Sequence, residues 1–236
     1  MALEILYEDN HIILVNKRAG DLVQGDKTGD KTLGDFVKDY IKEKYKKPGD
    51  VFLGTVHRID RPTSGIVLFA RTSKALTRLN KMFQDKEIQK TYWAVTENAP
   101  PNKSGTLIDY LVRNEKQNKS YASKTEKSGS KIAELNYTLE GKSDNYFFLR
   151  VEPITGRHHQ IRVQLAAMGC IIKGDLKYGA KRSNKDGSIH LHAQKIEFEH
   201  PVSKIKISVT ARPPDEGNWN AFFKLSTATK AKEDKR

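Results

Sequence analysis

His57-Arg58-Ile59-Asp60-Arg61-Pro62-Thr63-Ser64-Gly65 joins two apolar runs, Leu53 to Val56 and Ile66 to Ala70. Both runs are short, apolar and bounded by turn residues, the pattern of buried strands. Pro62 and Gly65 punctuate the turn between them. Asp60 therefore stands where a buried strand gives way to a loop, with Arg58 and Arg61 beside it. A carboxylate set among cations stays ionised at neutral pH, as a nucleophile must.

Outward from this turn, strand and helix patterns alternate. Upstream, Leu3 to Tyr7 and His11 to Val15 read as two strands around Glu8-Asp9-Asn10. Leu33, Phe36, Val37, Tyr40 and Ile41 then fall on one helical face. Thr32 with Asp35 caps that helix, and Pro48-Gly49 stops it. Downstream, a helix from Ser73 to Asp85 is expected, with Ser73 as cap and Leu76, Leu79 and Phe83 as its buried stripe. Segments 88–96, 107–112, 121–124, 133–139 and 147–152 read as a strand-turn-strand meander, which makes the sheet largely antiparallel. The segment 113–131 is strongly basic and poor in large apolar residues, either a partner-contacting loop or a solvated insertion. A helix over Arg157 to Ala167, strands at 189–193, 195–198 and 205–210, and a short helix over 217–225 complete the pattern. The fold class is α+β: a long mixed, mostly antiparallel sheet flanked by a few helices, with a central cleft. Residues 1–225 form one domain and 226–236 a charged, flexible tail.

Composition narrows the function. The chain has 236 residues, 42 basic and 29 acidic, for a net charge of +13. Such a balance points to a polyanionic partner, with nucleic acid the default. A single cysteine, Cys170, sits in an apolar context and reads as a core residue. A disulfide framework is excluded, which suits a reducing compartment. No signal peptide and no membrane-spanning run are evident, so a cytoplasmic protein without a membrane partner is expected.

The turn also carries a resemblance. His57-Arg58-Ile59-Asp60-Arg61-Pro62-Thr63-Ser64-Gly65 resembles the signature of RluA-type pseudouridine synthases, H-R-L/I-D-x-x-T-S-G. Lys90-Thr91-Tyr92 is similar to the family's second motif and Ile154-Thr155-Gly156-Arg157-His158-His159-Gln160-Ile161-Arg162 to its third. Leu191-His192-Ala193 followed by Phe198-Glu199-His200-Pro201 resembles the closing segment. Ordered motifs over nearly the whole chain are specific where each alone is weak. Many relatives carry a small S4 domain ahead of the first motif; here a stand-alone catalytic domain is expected.

The resemblance implies an RNA-modifying isomerase acting on ribosomal or transfer RNA. It implies Asp60 as nucleophile, Tyr92 as the residue that stacks on uracil and serves the C5 proton, and Arg162 as the cation paired with Asp60. Arg157, the rival within the third motif, is better placed for phosphate. Arg58 is implied in displacing the target nucleotide and Leu191 in an apolar contact below it; His57 and Arg61 belong to the same RNA-binding set. No cofactor is implied and no obligate protein partner, so a monomer is expected. His158-His159 and His190-x-His192 invite a metal reading, but adjacent histidines on a helix diverge and no carboxylate or cysteine cluster joins them, so no metal is expected. A catalytically silent RNA-binding or chaperone module would share the charge without needing Asp60, Tyr92 and Arg162 together. Hydrolysis by paired carboxylates lacks a second acid near a motif.

Overall fold

Strands dominate because the apolar residues alternate, and each alternating run finds a partner. The computed structural model describes residues 3–25 and 29–233. Its elements run β1 (Glu4–Glu8), β2 (Ile12–Lys17), α1 (Leu33–Lys44), β3 (Gly54–Thr55), β4 (Ser64–Ala70), α2 (Ser73–Gln84), β5 (Gln89–Thr96), β6 (Ser104–Asn114), β7 (Lys119–Ser123), β8 (Lys131–Lys142) and β9 (Phe147–Pro153). Then follow α3 (Gln160–Ala167), a 3-10 turn (Leu176–Tyr178), β10 (Leu191–Glu199), β11 (Lys206–Thr210) and α4 (Gly217–Glu233). This is the α+β class read from the sequence, and every pairing with a described register is antiparallel.

The chain forms two compact units. The first comprises Met1–Lys90 and Ala193–Arg212. In it the strands order β1-β2-β4-β10, with β3 on β4 and β11 on β10. Ile12, Leu14, Ile66 and Leu68 pack with Ala75 and Leu79 of α2 and with Ile196 and Phe198 of β10. Thr32 caps α1 as expected: its hydroxyl accepts from the Asp35 N–H while the Asp35 carboxylate accepts from the Thr32 N–H. The cap of α2 is Thr72 and not Ser73, because the Thr72 hydroxyl accepts from the Ala75 N–H and Ser73 is already helical. The buried stripe of α2 is Ala75, Leu79 and Met82, with Leu76 and Phe83 at its margin.

The second unit comprises Thr91–His192 and Pro213–Arg236. Its strands order β5-β9-β8-β6-β7. One face buries Ala94, Leu135, Tyr137, Leu149 and Val151 beneath Ile161 and Leu165 of α3, with Cys170 in the same cluster. Burial pushes the Cys170 thiol up to about 11, which keeps it an inert core group. The other face buries Trp93, Val95 and Phe148 beneath Trp219 and Phe222 of α4, the Trp93 and Phe222 rings stacked 4.5 Å apart. Helix α4 runs on to Glu233, past the point where the sequence was read as tail. The expected tail residues 234–236 lie outside the described residues. Ala228, Lys230, Ala231, Lys232 and Glu233 are strong helix formers, which carries the helix past its apolar anchor.

Candidate active site

The Asp60 turn is over-determined by its own sequence. The Thr63 N–H donates to the Asp60 carbonyl at 3.0 Å and closes the turn. Thr63 and Ser64 are buried as the chain enters β4. Gly65 has φ +114, and a Cβ there would lie 2.4 Å from the Ala193 carbonyl oxygen, so only glycine fits. His57 anchors the other end. Its Nε2 accepts the Leu68 N–H at 2.9 Å, continuing the β3–β4 ladder with a side chain, and its ring stacks on Phe83 at 5.0 Å. Burial, with the Lys90 charge added, pushes its pKa down to about 3, so the imidazole is neutral. Through Nε2, His57 holds β4 in place.

The arginines of the turn divide in the same way. Arg61 is tied down: its Nε donates to the Gly20 carbonyl at 3.0 Å and its Nη2 pairs with Asp30 at 3.2 Å. Arg58 is exposed, with Nη1 donating to Gln24 at 3.1 Å, a contact easily exchanged for another acceptor. Asp60 itself is partly exposed between them.

Lys17, at the end of β2, was not among the residues singled out from the sequence. It is 1% exposed, and its Nζ donates to the carbonyls of Arg18, Asp21 and Arg61 at 2.9, 2.9 and 3.1 Å. The Arg61 carbonyl also accepts the Gly20 N–H at 2.8 Å. One buried ammonium thus ties the loop after β2 to the loop that carries Asp60. Burial pushes its pKa down to about 8, against the charges of Asp21 and Asp60, which favour the ammonium. The Asp21 Oδ2 and Thr63 Oγ1 atoms nearby in sequence are buried with no hydrogen-bond partner among the described residues.

In the second unit the third motif folds back on β8 before it becomes a helix. The Thr155 hydroxyl accepts the Glu134 N–H and donates to Gln160 Oε1, which also accepts the Arg157 N–H; Gln160 Nε2 donates to the Glu134 carbonyl. His159 takes a left-handed conformation at φ 53, so α3 begins at Gln160 and not at Arg157. That residue, rather than helical spacing, sets the two histidines: their rings stack at 3.8 Å instead of diverging. Their nitrogens face separate partners, His158 on Ser120 and Asn118, His159 on the Tyr178 hydroxyl. Among the described residues no three His, Cys, Asp or Glu side chains gather as a metal site.

Arg162 is buried, 5% exposed. Its Nε and Nη2 hold both oxygens of Asp175 at 2.7 and 2.8 Å. Asp175 is 1% exposed and was not singled out in the sequence. Tyr178 lies under the guanidinium, 5.2 Å from its centre. A fork clamped on one edge by a carboxylate aims its remaining edge, Nη1, in a fixed direction. Arg157 is exposed, its Nε donating to the Ile132 carbonyl at 3.0 Å. Tyr92 is half-buried on β5 opposite Val151. It packs against the core cluster that contains Leu191, which is 3% exposed.

Comparison with known proteins agrees with this architecture. The sequence profile described as RNA pseudouridylate synthase matches residues 11–167. The chain belongs to that family. It is 32% identical over 216 residues to a ribosomal large subunit pseudouridine synthase C of Buchnera aphidicola subsp. Acyrthosiphon pisum, covering 88% of this chain and 66% of that protein. It thus spans just under two thirds of such ribosomal relatives. It is 31% identical over 227 residues to a tRNA pseudouridine synthase C of Haemophilus influenzae, covering 89% of this chain and 92% of that one. In fold it is similar to human RNA Pseudouridylate Synthase Domain Containing 4, with a TM-score of 0.75 at 21% identity over 94% of this chain and 91% of that one. The family chain contains no described helix long and apolar enough to cross a membrane.

Proposed function

We propose that this chain isomerises uridine to pseudouridine in structured RNA, ribosomal or transfer, with Asp60 as the nucleophile. One observation carries the reading. Asp60 is a partly exposed acid on a turn that Gly65, His57, Arg61 and Lys17 lock from all sides. A carboxylate that only capped a turn would not need a buried ammonium beneath its loop. The relatives' names support the substrate class, divided as they are between large-subunit and transfer-RNA enzymes.

The chemistry sets the division of labour. The target uridine leaves its stack, and Arg58 takes the vacated space, its contact with Gln24 being exchangeable. Asp60 forms a covalent adduct as the N1–C1′ bond breaks and the uracil turns; C5 then joins C1′, the C5 proton leaves and the carboxylate is released, so the net change is an isomerisation. Tyr92 stacks on the uracil and serves the C5 proton. Arg162, aimed by Asp175, pairs with Asp60 and keeps it ionised once water has left. Leu191 supports the base from the core side, and Arg157 holds phosphate. No step calls for a cofactor.

Asp60→Asn tests this. The variant keeps the volume and the turn but has no nucleophilic carboxylate. It should fold, bind RNA within a few-fold of wild type and form no pseudouridine in a single-turnover assay. Conversion at a comparable rate removes Asp60 from the role. A wild-type protein that binds RNA but never converts uridine returns the chain to a silent binding module.

A further inference from the structure

We infer that the outer face of β6, β7 and β8 is a docking surface for an RNA strand away from the target nucleotide. The inference rests on reading the chain as an RNA-modifying enzyme, and it identifies where the second unit grips its substrate. Register places the residues. Tyr121 stands opposite Val112, Tyr110 opposite both Ser123 and Ile132, and Ile108 opposite Glu134. Directly opposed residues share a face, so Ile108, Tyr110, Val112, Tyr121 and Ile132 form one continuous strip. The intervening residues Leu111, Ala133 and Leu135 point the other way, into the cores that contain Val163 and Leu165 of α3. The strip is left in water: Ile108 is 51% exposed, Ile132 48% and Tyr121 46%. A soluble protein leaves three such side chains together on one sheet face for a reason.

Charge identifies the occupant. Between 113 and 131 there are six basic residues and two acidic ones. Lys124 spends its charge on the buried Asp109, at 2.7 Å, and Arg113 faces Glu115 at 3.9 Å. Lys116, Lys119 and Lys127 have no carboxylate within ion-pair distance among the described residues, and Lys116 and Lys127 are exposed. Lys119 Nζ lies 5.5 Å over the Tyr121 ring. Protein–protein interfaces are depleted in lysine relative to the rest of the surface. Surfaces for unpaired nucleic acid combine lysines that track phosphates with an aromatic ring on which a base stacks. This face has the second composition.

The experiment uses the full chain and a structured RNA that it modifies. Lys116→Ala, Lys119→Ala and Lys127→Ala are combined in one variant; Tyr121→Ala and Tyr121→Phe are made separately. Binding is titrated over a range of salt, and single-turnover conversion is measured at saturating enzyme. The triple variant should lose about tenfold or more in affinity and about 2 from the salt slope, at roughly 0.7 to 0.9 per phosphate released. Its saturated rate should equal wild type, because none of these lysines meets the reacting uridine. Tyr121→Ala should lose about tenfold in affinity with the slope unchanged, and Tyr121→Phe should restore it.

Wild-type affinity and slope in the triple variant overturn the inference while leaving the enzyme reading standing. Loss of the saturated rate in step with affinity also overturns it, since the lysines would then serve the reaction. If the wild type shows neither salt-dependent RNA binding nor conversion, the enzyme reading fails and this surface goes with it. Concentration-dependent dimerisation by sedimentation, abolished by Ile132→Asp, would assign the strip to a second copy of the chain and overturn the RNA assignment.

Discussion

Lys17 and Arg162 are the buried lysine and arginine among the described residues, one in each compact unit, and they are held in opposite ways. Arg162 meets a carboxylate edge to edge, two charge-assisted hydrogen bonds under 3 Å. Lys17 meets three backbone carbonyls and no carboxylate oxygen within hydrogen-bond reach in its described contacts. A guanidinium cannot shed its proton in a protein, so its burial demands a counter-charge, and Asp175 supplies one. An ammonium offers three donors, which three carbonyls satisfy, but carbonyl dipoles compensate charge less well than a carboxylate. Its proton is correspondingly loosened, to a pKa of about 8. The second unit thus fixes a permanent charge in direction, and the first fixes a loop with a charge that titrates within reach of physiological pH.

The sharpest way to break this comparison is to remove the carboxylate. Asp175→Ala leaves the Arg162 guanidinium buried without that counter-ion. Uncompensated buried charges of this kind cost about 3–5 kcal/mol. The denaturant midpoint should fall accordingly with an unchanged slope, and conversion should be lost with it because Arg162 loses its aim. Asp175→Ala with near wild-type stability would mean that the fork is not what holds Arg162. Arg162→Ala removes both charge and clamp and should cost more conversion than Arg157→Ala.

Lys17→Met is the matching change in the first unit. Methionine fills much of the same volume but donates nothing, so the Arg18, Asp21 and Arg61 carbonyls lose their shared partner. The expected cost is about 1–3 kcal/mol, the penalty for unsatisfied buried acceptors, since Arg61 keeps the Gly20 N–H. Single-turnover conversion should fall by more than the stability loss explains, because the Asp60 loop has lost one of its ties. If the rate is unchanged in a folded variant, Lys17 is a stabilising residue only.

The contrast also explains what was legible in the sequence. The strands of both units were readable because alternation survives wherever one sheet face is buried, and Thr32 and Asp35 announced their capping box. The Asp60 turn was readable because its strained positions demand particular residues, Gly65 above all. Lys17 could have been found: in β2 it shares a side with Ile13 and Val15, both fully buried, so the alternation points the lysine inward. The strand read from the sequence ends at Val15, so the lysine falls just outside it. Asp175 gave no such sign, since it lies in an irregular stretch after Gly174, where no period links it to Arg162 thirteen residues earlier. The late start of α3 was equally hidden, because left-handed backbone at a histidine is set by Thr155, Gln160 and Glu134 together and not by local propensity.

Arg157 gives a smaller effect that separates the roles within the second unit. It is exposed and holds only the Ile132 carbonyl, so Arg157→Ala should leave stability within about 0.5 kcal/mol. RNA affinity should weaken a few-fold, with about 0.9 lost from the salt slope for one phosphate contact. If instead Arg157→Ala is rate-dead and Arg162→Ala merely binds poorly, the roles within the third motif are reversed.

The smallest predicted effect tests the titration itself. Folding lowers the Lys17 pKa from the ordinary 10.5 to about 8, so between those values the unfolded chain holds a proton that the folded chain has released. The state that binds more protons is favoured by acid, so this group's contribution to stability rises with pH across that window and is least favourable below about 8. Activity should move the other way. Above about 8 the neutral amine keeps two donors for three carbonyls and turns a lone pair toward one of them, while Asp60 loses a neighbouring positive charge. An interaction on the order of 1 kcal/mol corresponds to about a fivefold fall in rate. Single-turnover rates from pH 6 to 10, beside denaturant midpoints over the same range, separate the two trends. The wild type should show the falling limb while its stability holds or improves, and Lys17→Met should lack the limb. A rate that falls only where stability falls would mean that the chain is unfolding and that the lysine's charge is not felt at Asp60.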